Sequence, residues 1–148
     1  MEPLTRTRPL VFVTNGDQAF LSMVKELLEE EGYAAETMPL VDQPFAEIVR
    51  LQPALLIIDF PYREQPAWEL IEQLDATPAT CMLPIIATST DPDNLAQFAA
   101  RPMIRTSAEV LLKPYDLDPL LALVTAMVPI PSERNDTVAQ ELHQAGEA

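Results

Sequence analysis

Short apolar runs alternate along the chain with apolar residues at helical spacing. Leu10-Val11-Phe12-Val13, bounded by Pro9 and Asn15-Gly16, reads as a buried strand. Asp17 is placed to cap the next segment, where Phe20, Val24, Leu27 and Leu28 share one helix face and Gly32 sits at the position of a terminating glycine. Ala34 to Met38 reads as a weaker strand. A short helix with Phe45, Ile48 and Val49 follows Pro44. Leu55-Leu56-Ile57-Ile58, ending at Asp59, has the uninterrupted apolar character of a parallel strand covered on both faces. Pro66 opens a third helix with Trp68, Leu70, Ile71 and Leu74, and Pro84-Ile85-Ile86-Ala87 makes another strand. Asp91-Pro92 is a helix cap followed by proline at the first helical position, ahead of Leu95, Phe98 and Ala99. Val110-Leu111-Leu112 forms a last strand. Asp116 or Asp118 then caps a helix with Leu117, Leu120, Leu121, Val124 and Val128 on one face, stopped by Pro129 and Pro131.

A strand–helix unit repeated five times, with no hairpin signal, predicts an α/β fold with a parallel sheet covered on both sides. The flavodoxin-like, doubly wound order 2-1-3-4-5 is the common arrangement for this count. Its functional crevice lies at the carboxyl ends of the strands. Asn15–Asp17, Asp59, Ser89 and Lys113 all follow strand ends and are expected to converge there. The expected organisation is an N-terminal arm over 1–8, one domain over 9–128, and a polar tail over 129–148. That tail has a net charge of −3 and is flexible or weakly helical.

Composition narrows the chemistry. The chain has 148 residues, 48% of them hydrophobic, which suffices for one ordinary core. Acids outnumber bases 23 to 9, and a net charge of −14 repels phosphate backbones and anionic lipid. Neither nucleic acid nor a membrane is expected as a partner, and the cytoplasm is the expected compartment. One cysteine, Cys81, and one histidine, His143, exclude an intrachain disulfide and a Cys/His zinc cluster. Three glycines, Gly16, Gly32 and Gly146, cannot assemble a phosphate-cradling loop. No enzyme activity, catalytic residue or bound metal is expected.

The stretches VFVTNGDQAFLSMVKELLEEEGY, PALLIIDF, PIIATST and EVLLKPYDLDPLLALV together resemble the receiver domain of two-component response regulators. The likeness covers about residues 9–128. Its specificity rests on the order of the stretches, the Lys113-Pro114 pair, and the spacings of 30 residues from Asp59 to Ser89 and 24 from Ser89 to Lys113. The resemblance implies that Asp59 occupies the phospho-acceptor position. Ser89 and Lys113 occupy the positions that contact phosphate, and Pro114 the position of a cis proline. It also implies a departure. The family places two carboxylates after the first strand to hold Mg²⁺, and here those positions are Asn15 and Gly16. Asp17 lies one step too far along, as the helix cap. Mg²⁺ demands strict octahedral oxygen geometry and is usually held through one or two carboxylates. A second departure is Val110, where many receivers carry an aromatic residue that changes rotamer on activation.

The resulting expectation is an atypical receiver-like interaction module that works without Mg²⁺-dependent phosphorylation and needs no cofactor. Its partner would be a histidine kinase or a signalling output protein. Asp59 would pair statically with Lys113, and Arg63 is a candidate cation standing in for the metal. Ser89 could equally bond only local backbone. One alternative is a working phospho-receiver that takes phosphate from a histidine kinase on Asp59, with Mg²⁺. Another, of a different class, is a small flavodoxin-like ligand-binding protein or enzyme. In the last helix Leu120, Leu121, Leu123, Val124, Met127 and Val128 span an arc of about 160°, wider than one core face needs. An exposed edge near Leu123 and Met127 is therefore expected, with homodimerisation through the fourth helix, fifth strand and fifth helix.

Overall fold

The computed structural model describes residues 8–60, 65–102, 104–113 and 117–130. Five strands, β1 (Leu10–Thr14), β2 (Ala34–Met38), β3 (Leu55–Asp59), β4 (Ile85–Ser89) and β5 (Ala108–Leu112), form one parallel sheet in the order β2-β1-β3-β4-β5. The helices are α1 (Gln18–Glu30), α2 (Phe45–Leu51), α3 (Gln65–Ala76), α4 (Pro92–Ala100) and α5 (Leu117–Met127). This is the flavodoxin-like arrangement that the alternation of apolar runs predicts.

Strand alternation divides the core in two. Phe12, Leu56, Ile58, Ile85 and Ala87 face Ile48, Ile71, Leu74, Leu95 and Phe98, which brings α2, α3 and α4 onto one side. Val11, Val13, Leu55, Ile57 and Ile86 face Leu21, Val24, Leu28, Leu120 and Val124, which brings α1 and α5 onto the other. The middle strands β1, β3 and β4 are buried at every position, so they carry no polar face.

Local signals act as their chemistry requires. The Asp17 carboxylate accepts from the backbone N–H groups of Ala19 and Phe20 at the start of α1. Asp91 accepts from Asp93 N–H with Pro92 in the first turn of α4. Helix α1 ends on Gly32 at φ 103°. Tyr33 N–H reaches Leu28 O and Gly32 N–H reaches Glu29 O, the paired bonds of a glycine-terminated helix. Tyr33 is buried, and its hydroxyl donates to Val128 O at 2.7 Å, tying the end of α5 to the start of β2. That burial pushes the phenol pKa up.

Two expectations change. The fifth strand begins at Ala108, two residues before the apolar run. As an edge strand it tolerates the exposed Glu109, and Val110 and Leu112 are themselves exposed. The predicted exposed edge of the last helix is not there. Leu123 and Met127 are half-buried and pack with Phe20, Ala54 and Leu111 against the core, because α5 seats a broad arc on this side of the sheet. Exposed apolar side chains on this part of the molecule are instead Ile104, Val110 and Leu112.

Candidate functional site

The carboxyl ends of β1, β3, β4 and β5 bring the candidate residues to one edge. Asp59 continues the face of Leu55 and Ile57, and its register partner on β4 is Thr88. The Thr88 hydroxyl donates to Asp59 Oδ1 at 2.7 Å. The Lys113 backbone N–H donates to Ser89 O at 2.7 Å, which extends the β4–β5 ladder and fixes the base of the lysine. From there Lys113 Nζ reaches Asp59 Oδ1 at 2.8 Å. Asp59 is almost wholly buried, with its side chain 7% exposed against 30% for that of Lys113. The carboxylate is thus held in place by a hydroxyl and an ammonium on the same oxygen. Among the described residues no donor reaches Oδ2.

Ser89 is at the same edge but faces the other way. Its hydroxyl donates to Phe60 O at 2.8 Å and accepts from Asp91 N–H at 3.0 Å, with Asn94 Nδ2 at 3.4 Å. The structure therefore brings Lys113 to Asp59 and leaves Ser89 in local backbone bonding. The hydroxyl on Asp59 belongs to Thr88, which sequence reasoning passed over. Its signal was available: adjacent residues on a strand face opposite sides, so only one of Thr88 and Ser89 can share the face of Asp59.

Asn15 is buried, and its Oδ1 accepts the Asp17 N–H at 2.9 Å. Gly16 offers no side chain. A Cβ added there would meet nothing within 4 Å, so the position has room for the stem of a side chain. Arg63 and Pro114 lie outside the described residues, as does the tail beyond Ile130. The donors present fit Mg²⁺ poorly. Among the described residues Asp59 supplies the one carboxylate at this edge not committed to a helix cap, and the Asn15 oxygen is already engaged. No group of three or more metal-ligating side chains occurs among the described residues.

No family model matches the chain, and no curated protein matches it. Solved structures do. The chemotaxis response regulator CheY4 of Vibrio cholerae superposes with a TM-score of 0.69 at 18% identity, covering 82% of this chain and 99% of that one. A response regulator receiver protein from Pseudomonas putida gives 0.66 at 24% identity, with 82% and 99% covered. A sensor protein from Polaromonas sp. JS666 gives 0.68 at 22% identity, with 84% and 99% covered. This chain has the receiver fold. The crevice of doubly wound folds lies at the strand ends, the edge where Thr88 and Lys113 meet Asp59 and where Asn15 follows β1. No helix among the described residues is long and apolar enough to cross a membrane.

Proposed function

We propose that this chain is an atypical receiver that serves as a protein-interaction module in two-component or phosphorelay signalling, without Mg²⁺-dependent phosphorylation. The observation that carries this reading is the composition of the strand-end pocket. Asp59 is buried and held by Lys113 and Thr88, while the positions that would grip a divalent ion are Asn15 and Gly16. Phosphoryl transfer depends on positioning and on neutralising charge. Among the described residues Lys113 is the one cation at this carboxylate, and with that alone transfer is slow or absent. The partner is a histidine kinase or an output protein. The face of α4, β5 and α5, where Ile104, Val110 and Leu112 are exposed, is a candidate surface for that partner or for a second copy. No cofactor is required.

A second reading has one observation in its favour. Asp59 Oδ2 takes no donor among the described residues, and it is the atom a phosphoryl group would join. A working receiver would form the Asp59 O–P bond as the N–P bond of a kinase phosphohistidine breaks.

Acetyl phosphate with Mg²⁺, read by intact mass, separates the two. The proposed reading expects no phosphoryl adduct on the wild-type chain. It also expects Mg²⁺-dependent labelling to appear in the Asn15→Asp/Gly16→Asp double variant, for which the space at residue 16 is free. A wild-type adduct that Asp59→Asn abolishes would replace it with the working receiver.

A further inference from the structure

A groove of about 920 Å³ lies on the other side of the sheet from α1 and α5. One wall is the single turn of 3-10 helix at Leu40–Asp42 with the start of α2, and the other is α3. Its floor is apolar and buried, formed by Leu40, Pro44 and Leu70. Phe45 is half-buried beside them. Val41 stands 81% exposed at the rim, the most exposed large apolar side chain among the described residues. The turn that presents it ends on Gln43 at φ 54°, a left-handed conformation uncommon for a non-glycine residue.

The α3 wall is a stripe in helical register: Pro66, Glu69, Leu70, Gln73 and Ala76. At 1.5 Å per residue it runs for about 15 Å, the length of a three-turn helix. The charged residues lining the groove are Glu69 and Glu72, both exposed and both acidic, and no Lys or Arg is among the lining residues. An apolar trough about three turns long with an acidic wall is complementary to an amphipathic helix carrying Lys or Arg beside its apolar face.

The charge decides between occupants. A second copy would bring a further net −14 to an acidic wall. The chain's own segment beyond Ile130 carries Glu133, Asp136, Glu141 and Glu147 against Arg134 alone. Both are repelled. We infer that the groove between Leu40–Phe45 and α3 is a docking site for a basic amphipathic helix of a partner protein, separate from the Asp59 edge and independent of whether Asp59 is phosphorylated.

The probe is a synthetic leucine–lysine peptide, about 14 residues long, with its leucines at helical spacing. The same composition in strictly alternating order is the control. Backbone amide shifts of the full-length chain are followed during titration. The expected result is saturable shifts confined to Val41, Gln43, Phe45, Leu70 and Gln73 with the helical peptide. Affinity is expected to fall at least tenfold in Glu69→Lys/Glu72→Lys and in Val41→Asp, all exposed positions that the fold tolerates. Equal shifts with both peptides, shifts spread over the acidic surface, or no shift would overturn the inference. Groove shifts that depend on protein concentration without peptide would assign the groove to a second copy. Contacts from Val41 or Leu70 methyls to Val138 or Leu142 in the peptide-free chain would assign it to the tail. Either result overturns the inference as well.

Discussion

Two carboxylates in this molecule, Asp59 buried and Asp75 partly buried, are answered by cations in opposite ways. Asp59 meets one lysine and one hydroxyl on one oxygen, at a strand end where the lysine side chain keeps 30% of its surface in water. Asp75, near the end of α3, meets two arginines. Arg101 Nη2 reaches its Oδ2 at 2.7 Å, and Arg105 Nη2 bonds its Oδ1. The Arg105 side chain is fully buried, and its Nη1 also donates to the carbonyls of Leu83 and Thr80. Arg101 lies over the Trp68 ring at 5.8 Å, and Trp68 packs edge-on against Phe60 at 4.6 Å. A planar guanidinium with several fixed donors suits this brace between α3, the segment before β4 and the segment before β5. A single ammonium on a flexible stem suits a group that exchanges partners. The Asp75 arrangement reads as a joint and the Asp59 arrangement as a site.

The largest effect should come from breaking the joint. Arg105→Met is expected to destabilise the fold by about 3 kcal/mol, since two buried carbonyls and one oxygen of the partly buried Asp75 carboxylate lose their donor at once. Urea denaturation measures it. A loss under about 1 kcal/mol would mean that water satisfies those carbonyls and that the brace is not structural. At the site the expected pattern is an asymmetry. Lys113→Met leaves the buried Asp59 carboxylate with Thr88 as its one donor among the described residues and should cost about 2 kcal/mol. Asp59→Asn frees a lysine that reaches solvent and should cost less than half as much. Equal losses would make Asp59–Lys113 a structural pair like the one at Asp75.

The difference between joint and site also marks what the sequence made legible. β1, β3 and β4 are readable because they are apolar on both faces, and their order alone places Asp59 and Lys113 at one edge. β5 was cut short because an edge strand mixes Glu109 with Val110 and Leu112 and so breaks the apolar run. Thr88 was missed because Thr88, Ser89 and Thr90 offer a row of hydroxyls, and only the register with Asp59 selects among them. The Asp75 brace leaves no periodic trace. Its arginines lie 26 and 30 residues away, in segments outside regular structure, and nothing local ties them to that acid. The breadth of α5 was readable as an arc of leucines. What that arc packs against was not, because a helix pattern records the width of a buried face and not the shape of its seat.

A third carboxylate sets the lower end of the comparison. Glu47 pairs with Arg50 one turn along α2, through two hydrogen bonds in water. The bond from Arg50 holds the Glu47 carboxyl below the usual carboxylate range. A folded-state pKa lowered in this way adds stability above the unfolded carboxyl pKa, and that stability is lost as the pH falls through the folded value. Both side chains are solvated, however, so salt screens the pair and side-chain freedom opposes it. Glu47→Gln should therefore leave the melting temperature unchanged at neutral pH, while the wild-type Glu47 carboxyl, followed by NMR, titrates below the usual carboxylate range. A loss on the scale expected for Lys113→Met would show that burial is not what separates the three pairs, and the distinction between joint and site would then need another physical basis.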